Sequence, residues 1–304
     1  MRAGRPAVWA ALLTIYVVWG STFLAISFGL RTLPPFVLAS SRFLTGGILM
    51  VLAGLWLARR AGESWPGRAA WKASFVLGLL LVLIGNGSVP LAQQRLSTGV
   101  ASLGVSTVPL WMALFDRVIY GRRLSGLGAC GIALGIAGAA VLAGSGATEG
   151  ADPLGILILV TGSVAWALGS LWARTAPIPR QPLLATGMQM LWGGAALGVV
   201  ALATGQATSV GHVSAESLGG LLYLLVVGSI LAFTLYSWLL RNAPTPLVST
   251  YAFANPVVAI LLGWAVLDEG LGLRTGVAAA LIVGAVALIV VAQARTAPAA
   301  TLDR

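Results

Sequence analysis

Residues 35–58 read PFVLASSRFLTGGILMVLAGLWLA, and residues 182–204 read PLLATGMQMLWGGAALGVVALAT. Laid over one another at an offset of 147 positions, Pro182 falls on Pro35 and Gly193-Gly194 on Gly46-Gly47. The same offset, without a gap, brings Thr161 onto Thr14, Trp166 onto Trp19, Thr245 onto Thr98, Ser249 onto Ser102, Pro256 onto Pro109 and Leu271 onto Leu124. Scattered chance does not hold one register over such a length, so the chain is a duplicated unit.

Composition fixes the solvent. Hydrophobic residues make up 58% of the 304 positions and charged residues 9%, with a mean hydropathy of +0.95. A water-soluble domain carries about 25% charged residues, so most of this surface faces lipid. There a helix satisfies its own backbone hydrogen bonds. The apolar runs have the roughly 20-residue length that crosses about 30 Å of hydrocarbon, and the period-2 alternation of a membrane barrel is absent. The expected fold is an all-α integral membrane protein of ten transmembrane helices.

The expected spans run over 8–30, 35–58, 70–91, 97–119 and 124–144, then 153–173, 181–204, 217–240, 245–267 and 272–292. They fall into a first repeat at 1–147, a second at 148–295 and a tail at 296–304. No stretch is left over for a soluble domain. The first span is about 23 residues long and aligns with the span around Trp166, which argues against a cleaved leader.

Each half holds five spans, and an odd number makes the second copy enter from the opposite face, so the two repeats are expected to be inverted. Charge gives an orientation, because Lys and Arg gather in cytoplasmic loops. With the N-terminus inside, fourteen of the eighteen basic residues lie on the inner side, leaving Arg31, Arg95 and Arg274 outside and Arg42 within a span. Glu149, Asp152, Glu216, Asp268 and Glu269 are outside. Both termini are therefore expected in the cytoplasm. The net charge of +10 is carried singly or in pairs beside spans, as topology demands, and forms no nucleic-acid stripe.

One cysteine and one histidine exclude a disulfide framework and a Cys/His metal site, and no cofactor is expected. Cys130 reads as a small buried hydrophobe and His212 as a solvated loop residue. There is no G-x-S-x-G elbow, Walker loop or H-E-x-x-H pair, so hydrolytic and ATP-driven chemistry have no motif.

Inverted repeats point to a carrier with a fixed site near the midplane, and matched helix breakers are the sequence pointer to that site. Here they are Pro109 and Pro256, which remove a donor and free the carbonyls of Val105 and Ala252. Ser102, Ser106 and Thr107 lie near the first, and Ser249, Tyr251 and Asn255 near the second. The competing reading is a packed kink satisfied by hydroxyls or water.

Seven tryptophans sit near span ends as an interfacial belt, whereas Trp19, Trp111, Trp166 and Trp192 lie deeper, where an indole either stacks on a ligand or fills the core. Arg42, roughly 10 Å into its span at about 1.5 Å per residue, either snorkels to the outer interface or is the counter-charge of a bound carboxylate. No Asp or Glu lies near the middle of a span. With Thr22 and Asn86, the candidate substrate-binding set is Trp19, Thr22, Arg42, Asn86, Ser102, Ser106, Pro109, Trp111, Trp166, Tyr251, Asn255 and Pro256.

Trp19-Gly20-Ser21-Thr22-Phe23, Pro34-Pro35 followed by Arg42-Phe43, and Ala254-Asn255-Pro256 with Asp268-Glu269 resemble the EamA-type drug/metabolite transporter family over nearly the whole chain. The resemblance implies a bacterial inner-membrane carrier, often an exporter of amino acids or related metabolites, with a central cavity lined by both repeats. It also implies that Trp19, Arg42, Pro109, Asn255 and Pro256 occupy motif positions. One departure stands out: the family often has Gly-Glu after the fourth span, and this chain has Gly121-Arg122, so the glutamate occurs only as Glu269.

Small residues in the last span of each half, Gly131 and Gly135, and Gly276, Ala280 and Gly284, suggest close helix contacts between halves or between protomers. The expected function is secondary, non-ATP transport by alternating access, with export of small metabolites such as amino acids. A lipid-carrier flippase of the same architecture and an intramembrane enzyme are the alternatives. The latter needs a clustered nucleophile, acid or metal that the sequence does not display.

Overall fold

The computed structural model describes residues 5–121, 125–143, 152–243, 248, 250–270 and 272–296, and among them every regular element is helical. The first five helical spans are α1 (Arg5–Gly29), α2 (Pro35–Arg60), α3 (Arg68–Ala92), α4 (Thr98–Val105 and Val108–Tyr120) and α5 (Gly126–Ala143). The second five are α6 (Pro153–Ala173), α7 (Pro182–Ala203), α8 (from Ala215–Tyr223 to Ala232–Asn242), α9 (Tyr251–Leu267) and α10 (Leu273–Thr296). Eight of the ten are long and apolar enough to cross a bilayer, and the apolar parts of α5 and α9 are shorter. The chain is an all-α membrane protein. The expected junction at 147/148 and residues 297–304 of the expected tail lie outside the described residues.

Local chemistry sets the helix starts. Proline opens α2, α6 and α7, where its missing N–H is one of the orphans of a first turn. Side chains cap others: Asp152 accepts from Leu154 N at 2.7 Å, Gln181 from Leu184 N at 2.7 Å, and Ser214 from Ser217 N at 3.2 Å.

The duplication read from sequence is a duplication of structure. Helices α2 and α7 begin at the matched Pro35 and Pro182, and α3 and α8 at the matched Arg68 and Ala215. Helices α4 and α9 end on matched left-handed residues, Gly121 with φ 65° and Asp268 with φ 53°. The second is tolerable because a short polar side chain adopts this region more readily than others do.

The halves meet through swapped pairs. Helices α2 and α7 cross backbone to backbone: a Cβ on Gly47 would lie 2.5 Å from Leu191 N, one on Gly54 2.5 Å from Leu184 N, and one on Gly187 2.7 Å from Val51 N. Each step up α2 is a step down α7, so the matched helices run antiparallel, as inverted repeats require. Helices α5 and α10 repeat the arrangement, with Gly131 against Ile289 and Gly138 against Ile282. Gly131 and Gly138 of α5 thus join the two halves, whereas Gly135 packs on Leu110 of α4 in its own half. Gly276 has nothing within 4 Å and takes no part.

Three features differ from expectation. Both α3 and α8 contain a π-helical segment, Gly78–Asn86 and Leu224–Leu231, at nearly matched positions and without a proline. The two prolines behave differently: α4 breaks at Ser106-Thr107, just before Pro109, whereas Pro256 sits inside an unbroken α9. Finally, Cys130 is exposed on the bundle surface, not buried. Helix α5 is apolar all round, and lipid accommodates a small apolar side chain as well as the core does.

Candidate functional site

The interior between α1, α2, α8 and α9 brings together Trp19, Thr22, Arg42 and Tyr251 of the candidate residues. Trp19 is enclosed by three aromatic rings, with centroids 5.7 Å away for Phe233, 5.2 Å for Tyr236 and 4.7 Å for Tyr251. Tyr16 and Thr250 share a hydrogen bond beside this cluster. One turn further along α1, Ser21 Oγ and Tyr223 Oη share a hydrogen bond of 2.6 Å, and Thr22 Oγ1 donates to Trp19 O at 2.6 Å. The methyl of Thr22 faces α8 at Gly228, where an added Cβ would lie 3.0 Å from it and 3.5 Å from Arg42 Nη2.

Arg42 is 8% exposed. Its Nε donates to Ser229 Oγ at 2.9 Å, and its guanidinium carbon lies 4.7 Å from the centroid of Phe43. Ser229 is fourteen residues past the start of α8 at Ala215, whereas Arg42 is seven past the start of α2 at Pro35. The side chain therefore carries its charge toward the middle of the bundle, not back to the near interface, and the snorkelling reading is set aside. Among the described residues no carboxylate pairs with it. Its repeat mate is the neutral Gln189, so only one half charges the interior.

The π segment of α8 makes this geometry. Ser229 lies in this segment, and its Oγ, which accepts from Arg42 Nε, donates to Leu224 O, five residues back, at 3.0 Å. Asn86 does the same in α3, with Nδ2 donating to Leu81 O at 2.9 Å. Asn86 thus supports its own helix. Nearby, Trp166 packs on Gly85, with its ring 3.1 Å from where a Cβ would stand.

The residues around Pro109 are likewise turned to their own span. Ser102 Oγ donates to Gly99 O at 2.7 Å, Ser106 Oγ to Ser102 O at 2.8 Å, and Thr107 Oγ1 to Gly104 O at 2.6 Å. All three are buried. Two other candidates keep orphaned polar atoms: Trp111 Nε1, on a ring stacked with Phe115, and Asn255 Oδ1 are buried without a hydrogen-bond partner. Ser249 lies outside the described residues. Trp192 packs edge-on against Trp71 and Phe75 beside a shallow apolar groove of about 370 Å³, apart from the Arg42 region.

Sequence reasoning did not single out Ser229, Gly228, Tyr223, Phe233 and Tyr236. One signal was present: Gly228-Ser229 is the dip in an otherwise continuous apolar run from Leu221 to Phe233.

One end of the bundle is tied across the two halves. Arg31 pairs with Glu216, and Arg95 Nη1 lies 3.1 Å from Asp152 Oδ2. The N–H of Leu154 holds the Asp152 carboxyl below its ordinary 3.8, with help from Arg95. Glu269 accepts from Thr98 N at 2.7 Å and Gly99 N at 3.2 Å, capping α4 from the other repeat. At the opposite end, Arg174 lies 3.5 Å from Asp116. Among the described residues no group of three or more His, Cys, Asp or Glu could hold a metal ion.

Comparison with known proteins follows this architecture. The model of the EamA-like transporter family matches the chain twice, at residues 6–144 and 153–291. The chain is 35% identical over 286 residues to the uncharacterized inner membrane transporter YedA of Escherichia coli K12, covering 93% of this chain and 90% of that one. It is 25% identical over 288 residues to the uncharacterized transporter YvbV of Bacillus subtilis, covering 93% and 92%. A solved crystal structure matches with a TM-score of 0.65 at 24% identity, over 97% of this chain and all of the other.

Proposed function

This chain belongs to the EamA-like transporter family, and from that premise we propose that it is a secondary carrier that moves a small organic solute, such as an amino acid, by alternating access. It is a multi-pass membrane protein, and we place it in a bacterial inner membrane with both termini cytoplasmic. The loop arginines and the inner-membrane relative support that placement.

The observation that carries the mechanism is the antiparallel crossing of α2 and α7, repeated by α5 and α10. Two copies of one unit related by an axis in the membrane plane have two equivalent ways to lean on each other, each opening the shared interior to one side. The interior of α1, α2, α8 and α9 is the fixed site in this scheme. Trp19, Phe233, Tyr236 and Tyr251 supply apolar walls, and Thr22, Arg42 and Ser229 supply polarity.

Net export is the proposed direction. With the termini inside, the ties Arg31–Glu216, Arg95–Asp152 and Glu269 on α4 all fall on the outer end. The inner end has the Arg174–Asp116 pair, and the larger number of described ties on the outer end suits loading from the cytoplasm.

The test is access to the site from both sides. In a Cys130→Ser background, Thr22→Cys is exposed to a membrane-impermeant maleimide added to one face or the other of oriented vesicles. His212→Cys, in an exposed loop, controls for reagent and orientation. The proposal predicts labelling of position 22 from each face. No labelling, or labelling from one face only under all solute conditions, contradicts it.

A further inference from the structure

Arg42 lies more than nine-tenths buried inside the bundle, and the structure offers it one hydrogen bond, from Nε to Ser229 Oγ. Its two terminal nitrogens have no hydrogen-bond partner and no acid among the described residues. A cation withdrawn from water and left without a counter-charge is costly, and such residues within membrane spans mark the paths of ions and substrates. A guanidinium kept only for packing would be expected to have its fork filled by protein groups. Nη2 of the fork lies beside Gly228 on α8, where an added Cβ would stand 3.5 Å from it and 3.0 Å from the Thr22 methyl, so a side chain at that position would press on both.

We infer that Arg42 is the anion-binding group of the carrier and that the transported solute presents one carboxylate to it, an inference that rests on the transport reading above. A planar fork of N–H donors matches a carboxylate two bonds at a time. Charge balance sets the valence. One guanidinium stands in an interior whose repeat-matched position is Gln189, so a single negative charge neutralises it, whereas a phosphate dianion carries an excess into a low-dielectric site. Ser229 holds Nε and fixes the plane of the fork. The aromatic group around Trp19, one turn of α1 away, receives the remainder of the solute.

The experiment uses the purified full-length chain in detergent. Thermal unfolding midpoints are measured with the twenty common amino acids and a set of linear and aromatic monocarboxylates, then with the carboxamide of each stabilising compound and with inorganic phosphate. Wild type, Arg42→Met and Arg42→Lys are compared. At least one carboxylate stabilises wild type, with a preference over its carboxamide of at least about tenfold in half-saturating concentration, and phosphate does not stabilise it. Arg42→Met loses that preference, while its midpoint without solute equals or exceeds that of wild type, because an unneutralised charge has been removed. Arg42→Lys keeps a weakened preference for the acid. The inference is overturned if no carboxylate stabilises wild type, if carboxamide or phosphate serves equally well, or if Arg42→Met alone unfolds several degrees lower, as a purely structural residue would. Two-sided access at position 22 together with equal acid and amide effects removes this inference and leaves the carrier standing.

Discussion

Placing one methyl group at Gly47 should strain the crossing at which the two halves of the protein meet. A Cβ there lies 2.5 Å from Leu191 N, 2.8 Å from Leu191 Cα and 2.9 Å from the Met190 carbonyl carbon, all backbone atoms that cannot rotate away. Ordinary contact begins near 3.4 Å, so α2 and α7 must part by about 0.9 Å at that point. The strain spreads, because Gly54 against Leu184 and Gly187 against Val51 share the same register. Overpacking of this kind costs about 1–3 kcal/mol, and in lipid no hydrophobic term pulls the helices back together. At roughly 2–4 °C per kcal/mol, Gly47→Ala should lower the unfolding midpoint by about 2–12 °C. Gly194→Ala, its repeat mate, should behave alike, and the double variant should cost less than the sum because one displacement relieves both. Gly276→Ala is the control: it has open space and is expected to be neutral or to gain up to about 1 kcal/mol from helix propensity. The assay is thermal unfolding of purified protein. A Gly47→Ala midpoint indistinguishable from that of Gly276→Ala would refute the backbone-contact crossing.

Glu269→Ala should remove the cross-repeat cap on α4, costing roughly 0.5–2 kcal/mol, while Glu269→Gln, which keeps one acceptor oxygen, should cost less; equal midpoints for Ala and wild type would exclude the cap. Asp152 has its carboxyl held down in the folded state, so its contribution is fully present above the ordinary 3.8 and is lost only as pH falls through the lower folded value. The midpoint difference between Asp152→Asn and wild type should therefore be flat from pH 5 to 8, and a difference that changed across that window would contradict the assignment. Gly228→Ala sets a methyl 3.0 Å from Thr22 Cγ2 and should weaken solute binding in a thermal-shift titration by at least about tenfold while Arg42 is intact; unchanged half-saturation would show that solute does not approach there.

Much of the fold was legible because the membrane leaves few choices. Twenty-residue apolar runs became helices, Pro35 and Pro182 opened α2 and α7, and the doubled Gly46-Gly47 and Gly193-Gly194 marked the crossing of the halves. What the sequence concealed depended on packing between spans. The π segments of α3 and α8 carry no breaker, since extra residues in a turn arise from contacts with neighbours and not from local propensity. Pro109 and Pro256 look equivalent by position, yet only α4 breaks. Ser106 and Thr107 hydroxyls donate to Ser102 O and Gly104 O beside that break, and their repeat mates Phe253 and Ala254 have no hydroxyl. The candidate site was legible in part: Trp19, Thr22, Arg42 and Tyr251 converge, while Ser102, Ser106 and Asn86 donate to their own helices. Ser229 escaped notice because a lone serine in an apolar run acquires meaning only when an arginine from another span reaches it.

Counterflow in proteoliposomes bears most directly on whether this chain is a carrier. Purified protein is reconstituted, vesicles are loaded with one unlabelled amino acid at a time, and entry of the labelled compound is followed for wild type, Trp19→Ala and Arg42→Ala. The account predicts saturable exchange for at least one solute, at least about tenfold slower in both variants although each remains folded. Folded wild-type protein that exchanges none of them, or exchange that survives both substitutions unchanged, would contradict it.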